Sequence, residues 1–193
     1  LLGDGEEAIL EIAETIGQAK KLHLGRQETL DRLAGIEGFY VPSLFEPRYD
    51  RDGRLVYIEP LKPGYEKVNR RILPDLESID GPFPPLVPLV RIVHDRLGVE
   101  VARGCTRGCR FCQAGMIYRP VRERSPETLL SLSDFSVAST GYEDISLLSL
   151  STGDYSCLIP LMENLTSRYT SQRIAVSFPS LRADTLSPAL MTL

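Results

Sequence analysis

Cys105, Cys109 and Cys112 stand in the spacing Cys-x-x-x-Cys-x-x-Cys. As thiolates they are soft, anionic ligands suited to iron–sulfur clusters and to zinc. A closed tetrahedral zinc site needs a fourth ligand. The remaining cysteine, Cys157, is far along the chain, and neither His23 nor His94 is near the triplet. A ferredoxin-like electron carrier would also use a fourth nearby cysteine. Three thiolates suffice for three corners of a 4Fe-4S cubane, leaving one iron open to chelate an amino and a carboxylate group. Zinc and electron transfer stay as alternatives. Cys157 reads as a small, partly buried hydrophobe.

The loop around the triplet is basic. Arg103, Arg107, Arg110, Arg119, Arg122 and Arg124 cluster there, in a chain whose net charge is −4. They would stabilise an anionic cluster, or receive an acidic substrate or a phosphate. Otherwise they are solvated or paired with Glu123 and Glu127.

Elements must hold this loop in place. Val99–Ala102 reads as a short strand running into it. Beyond it, Ser125 caps a helix with Pro126 at its first position and Glu127 in its first turn, and Gly141 ends it. Residues 144–150 form an apolar strand. Leu158, Leu161, Met162, Leu165 and Tyr169 recur at helical spacing, and Arg173–Phe178 is a third strand. Strand–helix–strand–helix–strand implies parallel βαβ units, as in part of a parallel α/β barrel with ligand loops at the C-terminal strand ends.

Upstream, Leu1-Leu2 ends a strand and Gly3–Glu6 turns into a helix carrying Ile9, Ile12, Ala13 and Ile16. Residues 26–36 form a short second helix. Phe39–Val41 and Leu55–Ile58 flank a turn at Asp50–Gly53, a hairpin signal. Residues 60–90 are rich in proline, including Pro60, Pro74, Pro82, Pro84 and Pro88, and read as an ordered linker.

With 42% apolar and 25% charged residues, the 193-residue chain is ordinary for a soluble globular protein. Its acidic balance argues against non-specific nucleic-acid binding. No apolar run approaches the ~18 residues of a membrane span, and no signal peptide opens the sequence. A thiol triplet without a secretion signal points to a reducing compartment, the cytoplasm. The first residue is not methionine, and the last residues stop inside a starting helical pattern. Both suggest a piece of a longer protein.

The segment Arg103–Arg124, RGCTRGCRFCQAGMIYRPVRER, with Gly104 before the first cysteine and Phe111 before the last, resembles the radical S-adenosylmethionine (SAM) superfamily. Together with Val93–Arg96, Asp154–Cys157 and Pro179–Asp184, it looks like the family with an N-terminal cobalamin-binding-like domain. Gly3–Glu6 matches the motif near the end of that domain.

The resemblance implies an α/β fold: the first half of a radical SAM partial (β/α)6 barrel, preceded by a linker and the tail of an α/β cobalamin-binding-like domain. Residues 1–24 would be that tail, 25–96 the linker with hairpin and proline-rich segment, and 97–193 the N-terminal part of the radical SAM domain. It implies a 4Fe-4S cluster on Cys105, Cys109 and Cys112, reductive cleavage of SAM, and a reductant such as flavodoxin or ferredoxin. No Asp-x-His-x-x-Gly cobalamin-ligating motif is present, which weighs against cobalamin itself.

The family's SAM contacts carry over onto Phe111, Gly153, Asp154, Ser177, Ser180 and Arg182. Ser151–Asp154 departs from the common Gly-Gly-Glu. There Asp154 would take the amino group, with a plain turn as the alternative. Arg182 would take the carboxylate, with an ion pair to Asp184 as the alternative. A methylthiotransferase-like RNA-modifying enzyme has a related architecture. In a half barrel the third strand would have an open edge, leaving Ile174, Val176 and Phe178 exposed. Such a piece alone is expected to aggregate or stay partly unfolded, and to cleave no SAM.

Overall fold

A computed structural model describes residues 1–78, 85–90 and 92–192. Pro82 and Pro84 of the proline-rich stretch lie outside the described residues. The chain forms two compact units, Leu1–Leu73 and Pro74–Leu193.

In the first unit, helix α1 (Ala8–Lys21) ends on Lys20 and Lys21, which complement the carbonyl end of the helix dipole. Its apolar spacing is only half covered: Ala8 and Ala19 are buried while Ile9 is exposed. Helix α2 (Arg26–Leu33) is shorter than the expected 26–36, and its remaining residues run on as turns. The Glu28 carboxylate reaches back to the Gly25 N–H at 3.1 Å and fixes its start.

The hairpin forms, with a different first strand. Strand β1 (Phe45–Tyr49) pairs antiparallel with β2 (Leu55–Pro60), Tyr49 facing Leu55. The turn is where the sequence put it. Asp50 Oδ1 accepts the N–H groups of Asp52 and Arg54, each at 2.9 Å, and Gly53 takes φ +77°. So tight a turn requires the partner strand to begin at once, which leaves Phe39–Val41 too far upstream. Val41 is buried instead, with Ala34, Leu44 and Tyr65.

In the second unit, strands β3 (Leu97–Glu100) and β4 (Ala102–Arg103) replace the single strand expected there. Helix α3 (Ala114–Ile117) and strand β5 (Arg122–Glu123) follow, then α4 (Pro126–Thr140), β6 (Asp144–Leu148), α5 (Leu158–Tyr169), β7 (Ala175–Ser177) and α6 (Pro188–Met191). Strands β3, β6 and β7 form a parallel sheet in that order. Strands β4 and β5 form a separate antiparallel ribbon.

The helix limits follow local chemistry. Ser125 Oγ accepts the Thr128 N–H at 3.2 Å, Pro126 follows, and Gly141 closes α4 in the left-handed region at φ 72°. The Glu77 carboxylate adds a second cap by accepting from Ser125 N and Thr128 Oγ1. Leu97, Val99, Ile145 and Leu147 alternate onto one sheet face. They pack with Leu129 of α4 and with Leu158, Leu161, Met162, Leu165 and Tyr169 of α5. Ile174, Val176 and Phe178, expected to be exposed, are half-buried against this core. Strand β7 is also shorter than expected, because Arg173 turns left-handed at φ 58°.

Candidate metal centre and adjoining cavity

The cysteine loop is closed at its base. Ala102 pairs with Glu123 and Arg103 with Arg122. Val101 N donates to Leu148 O, and Arg124 N to Val101 O, both at 2.9 Å, so the ribbon continues the C-terminal end of the parallel sheet. Gly104 takes φ +95°, and a Cβ there would strike the carbonyls of Pro120 and Tyr118. Cys105 N donates to Tyr118 O at 2.8 Å, and Cys112 N to Cys109 O at 2.9 Å, folding the triplet into a tight coil. A Cβ on Gly115 would sit 3.1 Å from Gly108 N, so α3 closes directly on the loop.

All three cysteines are half-buried and none forms a disulfide. Among the described residues no three His, Cys, Asp or Glu side chains are grouped to hold a single ion. Cys157 sits just before α5, its sulfur 3.8 Å from Ser156 Oγ. Three soft thiolates from one glycine-bearing loop are a donor set that suits three irons of a cubane. Phe111 projects into solvent, 94% exposed.

The arginines are largely engaged. Arg103 makes a two-pronged pair with Glu100, both bonds 2.8 Å. Arg119 Nε donates to Gly115 O. Arg122 and Arg124 are buried. Glu123, expected to pair with arginine, accepts the Ser156 N–H at 3.1 Å and the Ser156 hydroxyl.

Beside the loop lies a cavity of about 390 Å³ whose walls include Gly104, Cys105, Arg107, Ser151, Asp154 and Tyr155. Asp154 belongs to the turn after β6. Its carboxylate accepts Arg107 Nε at 2.9 Å, Arg107 Nη2 at 2.6 Å, Ser151 Oγ at 2.7 Å and Arg182 Nη1 at 2.6 Å. Burial by itself would raise this carboxyl's pKa. The hydrogen bonds from Arg107 and Ser151, and the charges of Arg107 and Arg182, outweigh it and hold the group below the usual carboxylate range. Burial pushes the Tyr155 phenol well above its ordinary value, and its hydroxyl donates to Arg124 O at 2.9 Å.

The other expected contacts divide. Gly153 is packed under the loop after β7, where a Cβ would collide with Thr185. Ser180, at φ 65°, accepts Thr152 N through its carbonyl at 3.1 Å and so ties that loop to the Asp154 turn. Arg182 also donates Nε to Asp184 Oδ1 at 3.0 Å and Nη2 to Asp184 Oδ2, so the ion pair named as its alternative does form. Ser177 turns back on the sheet, Oγ to Ile145 O at 3.3 Å, and lines a different cavity with His94 and Asp144. Arg107 and Ser151 were missed as partners of Asp154. No spacing signal links Arg107 to a residue 47 positions away.

No family model matches the chain. It is 38% identical over 93 residues to an uncharacterized protein of Methanocaldococcus jannaschii, covering 48% of this chain and 20% of that protein. It is 25% identical over 199 residues to the ribosomal protein uS12 methylthiotransferase RimO of Kineococcus radiotolerans, covering 94% of this chain and 38% of that enzyme. The chain thus spans well under half the length of either relative. Among the described residues no helix is long and apolar enough to cross a membrane.

Proposed function

We propose that this chain belongs to a radical SAM enzyme and contributes the start of its partial (β/α)6 barrel. Cys105, Cys109 and Cys112 would hold a 4Fe-4S cluster, which supplies the electron for cleaving SAM to a 5′-deoxyadenosyl radical. The observation that carries the reading is the shared cavity. Cys105 and Asp154 line one space at the C-terminal ends of adjacent parallel strands, where open α/β folds place their ligands.

In this reading Asp154 receives the amino group of SAM. Its lowered pKa keeps it ionised, as an N–H donor requires. Arg182, shared between Asp154 and Asp184, would meet the methionyl carboxylate by exchanging one of its partners. Phe111, on the loop's outer side, would cover the nucleoside. Gly153 and Ser180 act through the backbone, holding the two loops together. A flavodoxin or ferredoxin would deliver the electron.

Anaerobic reconstitution of the full-length protein with iron and sulfide, followed by an assay for 5′-deoxyadenosine from SAM and a strong reductant, tests the reading. Release of the nucleoside supports it. A zinc-loaded protein that releases none would refute it.

The similarity to a methylthiotransferase along 94% of the chain favours methylthio transfer as the second reading. Mass analysis of candidate substrates separates the two, because a methylthio adduct would appear only in the second.

A further inference from the structure

Asp154 is the acceptor that the proposed function needs, yet its two oxygens are engaged differently. Oδ2 accepts Ser151 Oγ at 2.7 Å, Arg182 Nη1 at 2.6 Å and Arg107 Nε at 2.9 Å. Among the described residues Oδ1 accepts from Arg107 alone, Nη2 at 2.6 Å. The two arginines also differ. The side chain of Arg182 is 25% exposed and is clamped by Asp184 as well. That of Arg107 is 51% exposed and has Asp154 as its carboxylate partner. Withdrawing Arg107 would bare Oδ1 while Ser151 and Arg182 kept Oδ2 fixed.

We propose that Arg107 is a built-in competitor for Asp154: it occupies Oδ1 until the amino group of SAM takes its place. This rests on reading Asp154 as the amino contact. The exchange gives up the two charge-assisted N–H···O bonds of Arg107 and replaces them with those of an ammonium group, itself a charged donor. The displaced guanidinium, already half in water, is solvated at little cost. Arg107 lies between two cluster ligands in sequence, so the exchange also unties the cysteine loop from the turn after β6. Cosubstrate binding and loop position are thereby coupled.

The test compares SAM affinity, by equilibrium dialysis on the cluster-loaded full-length protein, for wild type, Arg107→Ala and Arg107→Lys, with iron content measured in each. The alanine variant should bind SAM roughly two- to fivefold more tightly, the scale of losing one exposed ion pair. The lysine variant should fall between. A SAM analogue lacking the amino group should gain nothing from the substitution. Equal or weaker SAM binding by Arg107→Ala at equal iron content would overturn the proposal. Should the alanine variant lose iron, Arg107→Gln takes the same comparison. Loss of iron in both would mean that Arg107 supports the cluster loop instead of competing, and would also overturn it. The failure of the underlying reading looks different: wild type would load iron yet bind no SAM.

Discussion

Arg107 and Asp154 are 47 residues apart in the chain and meet through two hydrogen bonds, Nε to Oδ2 at 2.9 Å and Nη2 to Oδ1 at 2.6 Å. One belongs to the cysteine loop and the other to the turn after the neighbouring strand. Their pairing sets Cys105 and the Asp154 carboxylate against one cavity.

Asp154→Asn keeps the shape of the side chain and removes its charge. SAM binding should weaken by about ten- to a hundredfold, the worth of a hydrogen bond to a charged group. Iron content should not change, because Asp154 is outside the cysteine triplet. Dialysis with labelled SAM on the reconstituted variant gives the number, and undiminished affinity would remove Asp154 from the site.

The same carboxylate makes a pH prediction. Its folded pKa lies below the ordinary value, about 3.9 in an unfolded chain. As pH falls, the unfolded state takes up the proton first, so acid favours unfolding through this group. Its stabilising contribution is complete above about pH 4 to 5 and disappears as pH drops through the folded value. Denaturant melts of wild type and Asp154→Asn should therefore differ by a constant amount from neutral pH down to that point and converge only below it. Convergence already near neutral pH would contradict the ion-pair account.

Replacing Cys105, Cys109 or Cys112 singly with Ala should abolish the visible absorbance of the reconstituted protein. Replacing Cys157 should not, since it lies just before α5, outside the cysteine loop. The thiols are half-buried, so each alanine variant should melt close to wild type before iron is added. A cluster surviving in Cys109→Ala would end the proposed ligand set.

Two glycines separate backbone strain from steric blockage. Gly141 has φ 72° and open space where a Cβ would point, so Gly141→Ala should cost about 1 kcal/mol and leave iron loading intact. Gly104 has φ 95° and two carbonyls in the way. Gly104→Ala should cost more, about 1–3 kcal/mol or above, and should impair iron loading because the loop base must move. Thermal melts with iron assays read both quantities.

Much of the second unit was legible in the residues themselves. Ser125, Pro126 and Gly141 delimit α4 because a cap, a fixed φ and a left-handed stop act within one helical turn. The buried face of α5 follows from the 3.6-residue period of Leu158, Leu161, Met162, Leu165 and Tyr169. The thiol triplet is equally local, since its chemistry depends on spacing within one loop. The first unit was read less well. Its turn at Asp50–Gly53 was visible, but which residues pair across it depends on register, and Phe39–Val41 lost that place to Phe45–Tyr49.

What the sequence determined by itself is short-range: the spacing of Cys105, Cys109 and Cys112, the helix limits, and the strand–helix order that makes a parallel sheet. Tertiary structure alone decided which distant polar groups meet. Arg107 turned to Asp154, Glu123 to Ser156, and Arg182, besides its sequence neighbour Asp184, to Asp154. It also turned Ser177 back onto Ile145 O, away from the cavity that holds Cys105. The physical reason is one of range. Capping and periodicity act within a turn or two of chain, whereas an ion pair between loops exists only after parallel strands have brought their C-terminal ends side by side.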